Sequence, residues 1–240
     1  MFVIKKKNEM ATRPIFIPAI GGSRSLVLVR QIDFQWHPGF AVTQKRKSIE
    51  SLHDAVRKTG AVAHPLEISS KSPEALGREL SAFSLTFHKS GWPKCQVEQA
   101  FQSSKVFRHG GPFADIIYMV PRDAKRDRRL KESGDLVAFD FDGGRWPLEP
   151  RTLFYDWIYI NAVSQNPSLA DGLVAFDGFT DIEFNPEKSI NCQARSAALY
   201  VALTRAGLLD GVLSSPERYR GTFSQNCTDD WQKPIQKSLL

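Results

Sequence analysis

The sequence predicts an α+β protein, predominantly helical, folded as a single domain that opens on a β-hairpin. Three observations carry this expectation. Two β-rich runs, Ile15-Phe16-Ile17 and Leu26-Val27-Leu28-Val29, flank turn chemistry at Gly21-Gly22-Ser23, which predicts a hairpin over 14–36. Beyond it, helical apolar patterning alternates with short strand-like runs. No repeat or low-complexity linker divides the 240 residues. One domain over 12–220 is the economical division, with a flexible leader over 1–11 and a loosely held tail over 221–240.

The elements follow in chain order. The second β-run continues through Gln31-Ile32-Asp33-Phe34-Gln35-Trp36, whose alternation marks a half-buried strand. Trp36 to Lys47 then crowds two aromatics, His37, a Pro-Gly turn and three cations into one loop. It is either a turn ahead of a solvated basic helix start, or a loop that stacks bases and contacts phosphates. Ser48–Gly60 is a helix with Ser48 as N-cap and Gly60 as stop, and His53 is a structural histidine. Leu66–Ser70 is a strand, with Glu67 within it. Ser72 caps a short helix with Pro73 at its first position and Gly77 as its end. Gly77 to Ser84 is an approach loop or strand, and Leu85-Thr86-Phe87 is a strand. Val97 to Phe107 lacks Gly and Pro and predicts one helix. His109 to Asp115 is a Gly-rich link: a plain turn, or a place where bare backbone at Gly110 and Gly111 approaches a diphosphate. Pro121 opens a further helix, and Asp123–Lys131 is a charged, solvated face. Leu136–Gly144 is a strand into a turn. Pro150–Asn161 is an aromatic-rich helix in which Asp156 is placed to face a pocket. Pro167–Phe176 is a short helix ended by Gly178, and Gln193–Gly207 is the last long helix, N-capped by Asn191.

Composition narrows the function classes. Hydrophobic residues make up 42% and charged residues 24%, with a net charge of +6, so an anionic partner such as a nucleotide or nucleic acid is compatible. Cys95, Cys192 and Cys227 match no zinc spacing and are odd in number, which argues against a disulfide framework. Cys192 sits at a helix entry, where a thiol pKa can fall, but packing is its favoured role. No apolar run is long enough to span a bilayer, and the opening Met1-Phe-Val-Ile-Lys-Lys-Lys lacks the apolar stretch of a secretory signal; Met10 is a candidate start. A cytoplasmic protein with no metal and no cofactor is expected.

Chemistry concentrates in the predicted helix 97–107. Glu98, Phe101, Gln102 and Lys105 fall at i, i+3, i+4 and i+7 and share one face. A solvated face has no need of the Phe, and a dry core would not tolerate the Glu, so the stripe suits a polar pocket wall. On a helix Lys105 lies about 10 Å along the axis from Glu98, too far for a tight ion pair.

Leu80-Ser81-x-Phe83, a short strand, Val97-Glu98-x-x-Phe101-Gln102-x-x-Lys105-x-Phe107 and then Ala124-Lys125 resemble the core of the NADAR family, the YbiA-like N-glycosidases. Gln99 stands where that family commonly has His. The segment Phe179 to Ser196 resembles the family's C-terminal part, without its Trp-Gly. With Trp36-His37-Pro38-Gly39-Phe40 near the start, the chain most resembles the NADAR antitoxins paired with DarT-type ADP-ribosyltransferase toxins, over about 12–220.

The resemblance implies hydrolysis of an ADP-ribose–guanine linkage in DNA, RNA or a nucleoside, releasing ADP-ribose and reversing a toxin's modification. Cleaving an N-glycosidic bond needs a carboxylate near the ribose C1, a positioned water and a donor for the departing nitrogen. Glu98 and Asp181 are the candidate carboxyls, with like-charge coupling dividing their roles if they meet. Lys105 is the third catalytic candidate; Lys105, Lys45 and Lys47 are alternatives for a Schiff-base amine. Substrate contacts are expected from Trp36, His37, Lys45, Lys47, Phe83, Phe101, Gln102, Gly110, Gly111, Asn185, Asn191 and Arg195, the last holding a phosphate or carboxylate. Two other functions fit the residues: a riboflavin-pathway N-glycosidase, and a non-enzymatic binder of modified nucleic acid or toxin.

Overall fold

Ten residues of β1 (Glu9–Pro18) pair antiparallel with ten of β2 (Val27–Trp36), from Glu9 opposite Trp36 to Pro18 opposite Val27. The structure, a computed structural model, describes residues 9–19, 25–186 and 189–223. The expected hairpin is present. Its turn at Gly21-Gly22-Ser23, most of the leader and the tail beyond 223 lie outside the described residues. Pairing begins at Glu9, inside the segment assigned to the leader, because Trp36 at the far end of β2 takes up a partner there.

The helix α1 (Val42–Lys58) starts six residues before the expected cap. Lys45, Arg46 and Lys47 are good helix formers and belong to its first turns. Ser48 is therefore not an N-cap; it is buried mid-helix, and its Oγ accepts the His37 N–H at 2.9 Å. Gly60, at φ +69°, supplies the left-handed stop.

Strand β3 (Pro65–Glu67) leads to α2 (Ala75–Glu79). Gly77 lies within α2 rather than ending it. A Cβ there would sit 2.0 Å from the Glu67 carbonyl oxygen and 2.4 Å from Ser72 Oγ, so only glycine lets α2 approach β3 this closely. Gly77→Ala is expected to destabilise the protein by about 1–3 kcal/mol or more, as an overpacked site that backbone cannot relieve. Urea titration of the two proteins checks it.

Strands β4 (Thr86–Phe87) and β5 (Cys95–Gln96) pair and deliver the chain to α3 (Val97–Ser103). This helix ends four residues earlier than expected. Ser103 and Ser104 hydroxyls donate back to the Ala100 carbonyl, and the Ser104 carbonyl accepts the Asp140 N–H. The chain then peels away as β6 (Lys105–Phe107), which pairs with β7 (Leu136–Phe141), itself paired with β8 (Gly144–Trp146). Between β6 and β7 lie a 3-10 helix (Ala114–Tyr118), α4 (Pro121–Ala124) opened by Pro121 as expected, and α5 (Arg129–Glu132).

Two helices form the centre: α6 (Leu153–Ser164), buried from Leu153 through Ile160, and α8 (Gln193–Arg205), buried from Gln193 through Leu203. Helices apolar nearly all round belong in a core. Between them, α7 (Pro167–Leu173) precedes β9 (Gly178–Thr180); Gly178 opens this strand rather than closing a helix. Helices α9 (Leu209–Leu213) and α10 (Pro216–Phe223) complete the described chain. Strand order in the main sheet is β2-β1-β9-β3, with β9 parallel to β3 and Glu67 opposite Thr180. Asp181 thus leaves the end of an interior strand.

Candidate active site

The site begins with how α3 is held. The Gln96 N–H donates to Gln99 Oε1, closing a capping box, and Gln99 Nε2 donates to the carbonyls of Ile117 and Met119. Gln99 is thus a structural tie to the 3-10 helix. With the helix start fixed, the Glu98 N–H donates to the Ala82 carbonyl at 3.0 Å. The Ala82 N–H donates to Gln193 Oε1 at 2.8 Å, and Gln193 Nε2 donates to Asp181 Oδ2 at 3.1 Å. One run of hydrogen bonds joins the segments that carry Glu98 and Asp181.

Both face a cavity of about 640 Å³. Its wall gathers Phe83, Glu98, Phe101, Gln102, Lys105, Asp181 and Asn191 from the residues singled out in the sequence. Glu98 is only 5% exposed, and Gln102 Nε2 donates to its Oε1 at 2.8 Å. That leaves Gln102 Oε1 buried without a protein partner, and Asn191 Oδ1 is in the same condition. These two orphan acceptors, each with almost no accessible surface, belong to residues of one cavity wall.

Lys105 reaches the cavity from a strand, not from the helix face. Its Nζ lies 4.7 Å from the centre of the Phe101 ring. Burial lowers its pKa to about 8; Glu98 opposes that change and Lys125 adds to it. Below pH 8 both folded and unfolded chains hold this proton, and the fold carries the cost of a buried ammonium. Between pH 8 and 10.5 the folded chain has lost the proton and the unfolded chain has not, so stability rises with pH. Lys105→Met is therefore expected to raise the melting temperature at pH 7, with the gap closing between pH 8 and 10.5. Thermal unfolding at pH 7, 9 and 10.5 checks this.

The expected coupling of Asp181 to Glu98 is replaced by a different one. Burial is the main cause of a raised Asp181 pKa, to about 8, and the second is the Glu67 carboxylate, not Glu98. The sequence reading also missed Lys125, Tyr155 and Gln193 as lining residues. The Ala124-Lys125 pair was visible as part of a motif, and Lys125 Nζ sits 5.2 Å from the Phe83 ring centre. Tyr155 is buried on the aromatic helix α6; its ring meets Phe101 edge-on at 5.1 Å and still reaches the cavity.

Several expected contacts lie elsewhere. Arg195 is buried against Asp156, its Nη1 donating to Oδ2, while Ser196 Oγ donates to Oδ1 at 2.5 Å. Neither Arg195 nor Asp156 lines the cavity, because facing helices α6 and α8 close on their ion pair. Gly110 and Gly111 close a turn onto β6: the Phe107 N–H donates to the Gly110 carbonyl, and a Cβ on Gly111 would meet the Lys105 carbonyl at 2.4 Å. They hold Lys105's backbone and do not line the cavity. Asn191 precedes the α8 N-cap, Cys192, and does not cap the helix. The Cys192 thiol is pushed well above its usual pKa by burial, and the Cys95 thiol to about 11, so neither is activated.

The N-terminal loop sits at the rim. Lys45 Nζ lies 4.9 Å from the Trp36 ring centre and 3.1 Å from Oε1 of Glu183, a lining residue. Trp36, His37, Lys47 and Asn185 are not in the wall; Lys47 is exposed, and the Asn185 carbonyl accepts the Ser189 N–H. Among the described residues no group of three His, Cys, Asp or Glu side chains could hold a metal ion, and no helix is long and apolar enough to cross a membrane.

No curated protein matches the chain. Among family models, the one described as DarT1-associated NADAR antitoxin matches residues 11–233.

Proposed function

The chain belongs to the DarT1-associated NADAR antitoxin family, and from that premise we propose that it is an N-glycosidase that cleaves the bond between ADP-ribose and guanine in DNA or RNA. In this role it undoes the modification made by a DarT-type toxin in the cytoplasm, and the modified guanine and the toxin are its partners. The observation that carries the reading is one cavity wall holding a buried carboxylate (Glu98), an amine of lowered pKa (Lys105) and a carboxyl of raised pKa (Asp181).

A cavity of about 640 Å³ lies within the range of small-molecule sites. A side-chain rotation that turns the orphan oxygens of Gln102 and Asn191 onto the cavity lets them accept from ribose hydroxyls. Glu98 lies beside the sugar, where its charge stabilises the oxocarbenium-like state at C1 and where it takes the proton of the attacking water. Asp181 gives its proton to the departing guanine nitrogen as the C1–N bond breaks. The products are ADP-ribose and unmodified guanine, and the proton on Glu98 returns to Asp181 through solvent. Lys125 and Arg151, also in the wall, supply positive charge for the diphosphate.

The lowered pKa of Lys105 favours one variant of this reaction. The open-chain sugar is an imine of guanine at C1; the Lys105 amine adds there, guanine leaves, and water hydrolyses the lysine imine to ADP-ribose. Borohydride trapping of an ADP-ribosyl adduct on Lys105 separates the two routes.

The reading is tested by incubating the protein with an ADP-ribosylated guanine oligonucleotide. Free ADP-ribose with restored guanine is expected. An intact substrate, or turnover only of riboflavin-pathway ribosylamines, contradicts it.

A further inference from the structure

Three buried polar side chains have no part in the chemistry above: His53, Glu67 and Thr180. Glu67 has no exposed surface, and a carboxylate in such a place is costly unless something requires it. Its two oxygens hold the chain on either side of Asp181. Oε2 accepts the Thr180 hydroxyl at 2.7 Å, and Oε1 accepts the Ile182 N–H at 2.8 Å. Thr180 Oγ1 also lies 2.9 Å from His53 Nε2. A hydroxyl has one proton. With that proton spent on Glu67, His53 must donate from Nε2, so a neutral ring carries its one proton there. A neutral ring agrees with a His53 pKa lowered to about 4 by burial.

We infer that Glu67 is a positioning residue for Asp181: it grips the residues immediately before and after Asp181 and sets a second carboxyl group beside it. Two adjacent buried carboxyls cannot both ionise cheaply. Burial raises both carboxyls, and both accept fixed donors: Glu67 from Thr180 and Ile182, Asp181 from the Glu183 N–H and Gln193 Nε2. The charge of Glu67 pushes Asp181 up further, so the shared proton rests on Asp181, which lines the cavity where a ligand can receive it. His53, on α1, orders the Thr180 hydroxyl and thereby the direction of the whole relay.

Other groups face Asp181. They are Glu183 on its own loop, Tyr155 and Tyr159 on α6, Cys192 ahead of α8, and Glu98, Lys105 and Lys125 around the cavity. Tyr155, Tyr159 and Cys192 stay protonated well above neutral pH because burial raises each of them. Lys105 titrates near Asp181, and a Lys105→Met background removes its contribution.

The inference rests on Asp181 acting as the acid of the proposed reaction, but its test uses the protein without substrate, so loss of the clamp and loss of the proposed activity are separate results. The carboxyl carbon of Asp181 is followed by NMR from pH 5 to 10 in wild type and in Glu67→Gln. Removing the charge is expected to lower the Asp181 midpoint by more than about one pH unit. In the variant the new amide donates to Thr180, Thr180 donates to His53, and the His53 proton moves from Nε2 to Nδ1, visible in the ring 15N shifts. An unchanged Asp181 midpoint overturns the inference. If Glu67→Gln does not fold, wild type decides alone: Glu67 and Asp181 must show inflections at the same two pH values, and independent single-step curves overturn it.

Discussion

Glu98→Gln is expected to lower turnover of ADP-ribosylated guanine by about 10²–10⁴-fold with the fold retained. The side chain is placed by its surroundings rather than by its own charge. Its backbone N–H is fixed to Ala82, its helix is fixed by the Gln96–Gln99 box, and Gln102 Nε2 donates to one carboxylate oxygen. A glutamine can offer Gln102 the same acceptor. What disappears is the negative charge beside the ribose and the base for water. Since that charge matters most as the sugar becomes cationic, kcat and kcat/KM should fall together, with the unfolding midpoint nearly unchanged. A drop in KM-derived affinity with kcat preserved would instead make Glu98 a ground-state contact.

Arg195→Ala and Asp156→Ala should each cost about 3–5 kcal/mol of stability, because each removes one side of a buried ion pair. That is a large share of the 5–15 kcal/mol that holds an ordinary domain together. Both side chains are about 5% exposed, and Ser196 Oγ also donates to the carboxylate. Replacing the pair together, as Asp156→Leu with Arg195→Met, should recover most of the loss, since apolar side chains of similar volume can substitute for a buried ion pair. Urea titrations of the singles and the double test this. If Arg195 held a substrate phosphate, Arg195→Met alone would weaken substrate binding and leave stability nearly intact.

The sequence was legible where one local rule decided the outcome. The hairpin strands followed from alternation, the start of α8 at Gln193 from its apolar periodicity, and the end of α1 from Gly60. It misled where a distant partner overrode local preference. Nothing in Ser103-Ser104-Lys105-Val106-Phe107 stops a helix, yet pairing with β7 draws Lys105 onto a strand, and Lys105 still reaches the same cavity as Glu98. Ser48 looked like a cap because the cations before it looked like a loop. Arg195 looked like a phosphate ligand because its partner, Asp156, lies 39 residues earlier on another helix. Glu67 carried a faint signal, one charge inside the run Leu66-Glu67-Ile68. Its meaning depends on a strand register that joins it to Thr180, 113 residues away.

Amide hydrogen exchange on Glu98→Gln protein saturated with an ADP-ribosylated guanine oligonucleotide asks where the modified base sits. Slowed exchange is predicted in peptides covering 97–105 and 181–193, the two segments joined through Ala82 and Gln193. Protection confined to 36–47, with 97–105 and 181–193 exchanging as in the free protein, would place the substrate on the N-terminal loop and contradict the cavity as the site of cleavage.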